Sequence, residues 1–150
     1  LFHFGAIHLT SRLIDGQYPN YEQIIPKDFE THITVKKDEF LNVCKVAGLF
    51  ARSSANSIKI SVKPDKNASD KGTLSISGQG VEVGESTSKI PVGFKGKEIE
   101  VSFNVKYILD VLPNIQEKNI EVSFAGKINP GVLRGEGKTD YTYVLMPLRS

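Results

Sequence analysis

Thr31-His32-Ile33-Thr34-Val35-Lys36 and, further along the chain, Glu98-Ile99-Glu100-Val101-Ser102 are the stretches on which the fold turns. In each, apolar and polar side chains alternate with a period of two, the pattern of a strand that buries one face. A helical pattern follows each strand directly. After the first, Asp38 reads as an N-cap, and Phe40, Leu41, Cys44, Ala47 and Leu49-Phe50 recur at helical spacing to about residue 53. After the second, Asn104 reads as the cap of a helix carrying Tyr107, Ile108, Val111 and Leu112, which Pro113 helps to end. Val35 to Asp38 and Val101 to Asn104 are equally spaced, so entry from strand into helix recurs at an offset of 66 residues.

Outward from these two stretches the pattern also repeats. Three strand candidates, 58–62, 73–78 and 86–92, follow the first helix, with Pro64-Asp65-Lys66-Asn67 and Gly78-Gln79-Gly80 as turn chemistry between them. Three more, 120–124, 131–134 and 141–148, follow the second, punctuated by Asn129-Pro130-Gly131 and Gly135-Glu136-Gly137. The chain thus reads as strand, helix and three strands, twice. Two such units, each with one exposed sheet face, pair most easily about a pseudo-twofold axis. The expected fold is α+β: antiparallel sheets outside and two helices together on one side. The outward stripes of those helices carry Asn42, Lys45 and Arg52, and Lys106, Asp110 and Asn114, a polar and mildly basic surface that by itself reads first as a plain solvated face.

At 150 residues the chain can bury one sizeable core, and 39% hydrophobic with 24% charged residues describes a folded domain rather than a disordered one. No apolar run approaches the roughly 18 to 20 residues of a membrane helix, so no membrane association and a cytoplasmic location are expected. One cysteine, Cys44, excludes an internal disulfide and a cysteine-based zinc site. A net charge of +2 is far from the excess of a protein that grips DNA through many phosphates, so any DNA contact is expected to be loose. The opening Leu1-Phe2-His3-Phe4 lacks an initiator Met and reads as a strand already under way inside a larger protein.

Residues that could carry chemistry are scarce. His3, His8 and His32 lie in strand-like segments without metal-ligand spacing, and Cys44 lies on the apolar side of a helix, where a thiol packs rather than reacts. Neither glycine-rich turn leads into a helix that could hold a phosphate, and Glu98 and Glu100 read as solvent-facing charges on one strand face. The expectation is a protein without catalytic residues, metal or cofactor. Two segments resist a purely structural reading: Ser11-Arg12-Leu13-Ile14-Asp15-Gly16-Gln17-Tyr18-Pro19-Asn20-Tyr21-Glu22-Gln23-Ile24-Ile25-Pro26, and the end, Tyr143-Val144-Leu145-Met146-Pro147-Leu148-Arg149-Ser150. An apolar terminus with Met and Pro is either tied into a sheet or offered to a partner.

Those two segments, together with Phe103-Asn104-Val105-Lys106-Tyr107-Ile108-Leu109-Asp110-Val111-Leu112, resemble the bacterial β sliding clamp family, in the family's order and across the whole chain. The resemblance implies that residues 1–20 are the tail of a middle domain and its connector, and residues 21–150 the third domain. It also implies a non-catalytic processivity subunit of the bacterial replicative polymerase, DNA polymerase III. Such subunits are head-to-tail homodimers that close into a ring around duplex DNA. The family captures linear motifs of the replicative polymerase, clamp loader and repair polymerases in an apolar pocket. Carried over by position, that pocket comprises Pro19, Gln23, Ile24, Asn104, Tyr107, Ile128, Pro130, Val144, Met146, Pro147, Leu148 and Arg149. Lys45, Arg52 and Lys106 would face the DNA, and Leu49 and Phe50 would form the subunit contact unless they are core. Gln23 stands where many members carry a basic residue, and Ser150 where an apolar one is common. From the residues alone, a free-standing peptide-binding or scaffold module stays open as an alternative, as does an enzyme with its active site on a part of the protein outside this chain.

Overall fold

The period-two stretch 31–36 is strand β3 (Thr31–Lys36), in which Thr31, Ile33 and Val35 point into the core and His32 and Lys36 outward, as alternation requires. The computed structural model describes residues 1–80 and 84–148. Ahead of β3 lie β1 (Phe2–Phe4) and β2 (Ile7–Leu9), an antiparallel hairpin, and a short 3-10 turn at Tyr21–Gln23. After it come α1 (Lys37–Phe50), β4 (Ser57–Pro64), β5 (Lys71–Gly80), β6 (Gly84–Gly96), β7 (Ile99–Asn104), α2 (Val105–Val111), β8 (Asn119–Phe124), β9 (Gly131–Gly135) and β10 (Tyr143–Leu145).

The duplication is present, with a different offset. Thr31 and Ile99 begin the two strands, and Lys37 and Val105 the two helices, so each pair is 68 residues apart rather than 66. Asp38 is not the cap of α1. The N-cap of α1 is Lys36, which makes no side-chain capping bond; the first helical N–H, on Lys37, donates instead to the Lys118 carbonyl at 2.8 Å. A neighbouring strand end thus does the work of a cap, and Asp38 sits in the first turn, where its charge favours the positive end of the helix dipole. Asn104 does cap α2, accepting from Lys106 N–H at 3.0 Å.

Among the described residues, eight strands form one antiparallel sheet in the order β10-β9-β8-β3-β6-β5-β4-β7. Each repeat supplies a three-strand meander, and each first strand inserts beside the other repeat's meander: β3 pairs β8, and β7 pairs β4. β3 also pairs the last strand of its own meander, with residues 31–34 opposite 93–96. The corresponding seam between β7 and β10 is where the sheet has its two ends, and there the Leu148 N–H donates to the Ser102 carbonyl at 2.8 Å. The final strand is shorter than the span 141–148 expected: β10 ends at Leu145, because Pro147 has no N–H to extend a ladder.

α1 buries Phe40, Cys44 and Ala47, spaced i, i+4 and i+7, and Ala51 continues that stripe just beyond its end. It packs on β5 and β6 and alongside α2, which buries Val105, Ile108 and Val111. At the heart of the core Phe103 and Phe124 lie 6.2 Å apart, beside Ile33, Ile58 and Ile120 in one apolar cluster. Gly78-Gln79-Gly80 is not a turn: all three residues lie in β5 and pair with β6 down to Gly80 opposite Gly84. Gly78 is there because the α1 backbone is close, and a Cβ at that position would run into the Ala47 carbonyl. Gly78→Ala is therefore expected to cost about 1–3 kcal/mol by urea denaturation; an unchanged midpoint would mean that α1 moves away freely.

Candidate functional site

Two surfaces gather the candidate residues. The first lies where the two helices meet. Gly48 of α1 faces Val105 and Leu109 of α2, and the absence of a side chain at Gly48 lets the helices approach closely. The groove between them has a volume of about 440 Å³ and is lined by Lys45, Val46, Gly48, Leu49, Arg52, Asn56, Val105, Lys106 and Leu109. Lys45, Arg52 and Lys106 are exposed and therefore present three cations around a mainly apolar floor. Their charge is unopposed by any carboxylate in the groove lining. The sequence does not single out Val46 and Leu109; the signal that could find Val46, which is 41% exposed, is that it is an apolar residue off the Phe40-Cys44-Ala47 stripe of α1.

The sequence puts Leu49 on the apolar stripe of α1, as subunit contact or core. It is 57% exposed and Phe50 is half-buried, so Leu49 is not core. The helix turns it away from β5 and β6, past Ala47 and Gly48, which occupy the buried side.

The second surface combines the start of α2 with the chain end. Asn104 caps α2, and its amide also donates to the Ala55 carbonyl at 3.4 Å. One turn on, Tyr107 is 54% exposed. The Leu148–Ser102 bond holds the terminal segment against β7, two residues before Asn104. Val144, Pro147 and Leu148 are half-buried, whereas Met146 is 60% exposed. β10 pairs β9 with Leu145 opposite Gly131, which sets Pro130 beside the start of the tail, with Ile128 exposed in the same loop. Burial, followed by the charge of Asp110 and the neighbouring Tyr141 and Tyr107, raises the Tyr143 hydroxyl above the usual phenol range.

Asn104, Tyr107, Pro130, Val144, Met146, Pro147 and Leu148 are thus brought to one region by pairing between residues distant in sequence. Pro19, Gln23 and Ile24 sit on the exposed connection, whose hydrogen bonds are internal: Asn20 Oδ1 accepts from Glu22 N–H at 3.1 Å, and Gln23 and Ile24 N–H donate to Asn20 and Tyr21 carbonyls. β2, the strand ahead of this connection, ends at Leu9. Arg149 and Ser150 lie outside the described residues.

The remaining candidates fall to structural roles. Cys44 is fully buried, and burial pushes its thiol far above the ordinary range, which keeps it unreactive. Glu100 pairs with Lys59 at 3.4 Å on the open face, while Glu98 precedes β7. Among the described residues, no group of three or more His, Cys, Asp or Glu side chains could hold a metal ion, and no helix is long and apolar enough to cross a membrane.

Comparison with known proteins agrees with this architecture. The beta sliding clamp of Bacillus subtilis (strain 168) is 33% identical over 152 residues, covering 100% of this chain and 39% of its own length. That of Synechococcus elongatus is 30% identical over 149 residues, covering 99% and 38%. The chain therefore spans less than two-fifths of the length of these curated relatives. Among solved structures, the DNA polymerase sliding clamp of Bacillus subtilis superposes with a TM-score of 0.82 at 34% identity, over 93% of this chain and 36% of that one. The DNA polymerase III beta subunit of Thermotoga maritima gives 0.84 at 25% identity, again over 93% and 36%. The family model for the DNA polymerase III beta subunit, C-terminal domain, matches residues 22–149, from the 3-10 turn to the terminal segment, and the chain belongs to that family.

Proposed function

We propose that this chain acts as the last domain of a DNA sliding clamp, a non-catalytic ring that tethers the bacterial replicative polymerase to duplex DNA in the cytoplasm. The observation that carries the reading is the family match across residues 22–149. Residues 1–20 would then be the end of the preceding domain and its connector. The groove between α1 and α2 supports the DNA-facing role: three cations over an apolar floor attract phosphates at long range without the many close contacts that would stop sliding. Encirclement, not affinity, would keep the protein on DNA.

The surface around Asn104, Tyr107 and the 144–148 tail is proposed as the part of a motif-binding pocket that this domain supplies, with Pro19, Gln23 and Ile24 of the connection, Ile128 and Pro130 of the loop, and Arg149. Met146 offers an adaptable apolar wall, while Asn104 and Tyr107 offer polar groups to orient a peptide. Partners of the proposed site are the replicative polymerase, the clamp loader and repair polymerases. A partner that buries one Leu and one Phe here gains about 2–3 kcal/mol from each, a large part of the roughly 8 kcal/mol of micromolar binding, and its polar and backbone contacts must supply the rest and offset the cost of association.

The test is fluorescence anisotropy of a labelled Gln-Leu-x-Leu-Phe peptide titrated with the chain and with Met146→Asp. Saturable binding is expected, at least about tenfold weaker in the variant because a carboxylate would have to be desolvated against the peptide's apolar side chains. Equal affinities for the two proteins would remove the terminal segment from the site.

A further inference from the structure

β1 and β2 are joined by Gly5-Ala6, with Gly5 at a φ of 57°, the left-handed conformation that a tight hairpin turn needs. The register sets Phe2 opposite Leu9, His3 opposite His8 and Phe4 opposite Ile7. Because side chains alternate across a strand, Phe2, Phe4, Ile7 and Leu9 share one face and the two histidines share the other. The apolar face is exposed in this chain, from 59% at Leu9 to 85% at Phe4, so it is the face that additional protein would cover. The histidine face is then the one left to solvent.

With a two-residue loop, Phe4 and Ile7 form the hydrogen-bonded pair next to the turn, and His3 and His8 fall in the non-hydrogen-bonded pair. In such a pair the Cα atoms come within about 4.5 Å and the side chains are closest. The imidazole rings accordingly stack, with centroids 4.2 Å apart and planes 19° from parallel.

We propose that His3 and His8 form a two-imidazole site for a divalent transition-metal ion of the zinc class. Imidazole nitrogens bind zinc at about 2.0–2.1 Å, so two of them on one tetrahedral ion lie roughly 3.3 Å apart. Tilting two rings that already face each other at 4.2 Å brings their edge nitrogens to that separation without moving the backbone. With no carboxylate or thiol group joining them among the described residues, water completes the shell, and the ion exchanges readily. Such an ion binds only the paired strands, so it stabilises a hairpin of two three-residue strands, which has little stability of its own. His32 is a built-in control: on β3 its Nδ1 lies 2.9 Å from Ser123 Oγ and its ring meets Phe29 edge-on at 5.6 Å, with no second imidazole beside it.

The experiment is a zinc titration of the 150-residue chain, followed by imidazole proton–nitrogen NMR and by calorimetry, with His3→Gln and His8→Gln alongside. His3 and His8 resonances are expected to shift together at one midpoint, with His32 responding only at about tenfold higher zinc or not at all, since a second tethered ligand adds at least about tenfold in affinity. Each glutamine variant, its fold checked by the unchanged spectrum of the β3–β10 core, is expected to lose that tenfold. Zinc binding that persists unchanged in His8→Gln, or that moves His32 at the same midpoint as the pair, would overturn the site.

Discussion

Phe103→Ala is expected to lower the unfolding free energy by about 3–5 kcal/mol, the largest loss of any single replacement considered for this chain. Phe103 is 1% exposed, and three independent elements close on it. Its ring sits 6.2 Å from that of Phe124 on β8, its strand position is opposite Ile58 of β4, and its ring tip reaches so near Gly131 of β9 that a Cβ there would lie 3.2 Å away. Removing the ring therefore opens a cavity where strands of both repeats meet, between elements already fixed by strand pairing. The transfer of the ring to water and the cavity left behind both count against the variant. Urea denaturation followed by far-ultraviolet circular dichroism measures the effect; a loss under about 1 kcal/mol would mean that the two repeats repack independently. Phe103 also precedes Asn104, so the variant is expected to loosen the cap of α2 and, with it, the seat of Tyr107.

The position of Phe103 illustrates what the sequence makes legible. Alternation in β3 and β7 is strong because each strand has one face in the core, and the spacing of Phe40, Cys44 and Ala47 is strong because α1 lies flat on β5 and β6. Local signals failed where a distant residue substitutes for a local one. Lys118 satisfies the first N–H of α1, so no capping side chain marks the true start. Gly78 looks like a turn residue but answers to the backbone of Ala47, 31 positions earlier. The candidate surface was legible only through resemblance, since Asn104 and the tail are joined by the Leu148–Ser102 bond across the two ends of the sheet, and no periodicity encodes that closure. Likewise the exposure of Leu49 follows from where α2 packs, which places Gly48 rather than Leu49 against Val105.

Leu49→Asp is expected to leave this chain folded and soluble, yet to weaken self-association of the longer protein in which the proposed ring forms by about thirtyfold or more. The two expectations have one cause. At 57% exposure, Leu49 contributes little to the core, and a carboxylate there keeps its water, so the unfolding free energy should change by no more than about 0.5 kcal/mol. In a subunit contact, however, the same side chain would be covered by the partner, and a carboxylate must then give up its hydration without a matching cation. Lys45 and Arg52, four residues before and three after, line the same groove, but ion pairs at such helix spacing return only about 0.2–0.5 kcal/mol, well short of that cost. A central contact residue of this kind carries at least about 2 kcal/mol, which is the thirtyfold. Sedimentation velocity of the full-length protein and its variant across a dilution series reads the effect directly. A variant that stays dimeric at the dilutions where the parent does would move the subunit contact away from the end of α1, and Leu49 would belong to the helix groove alone.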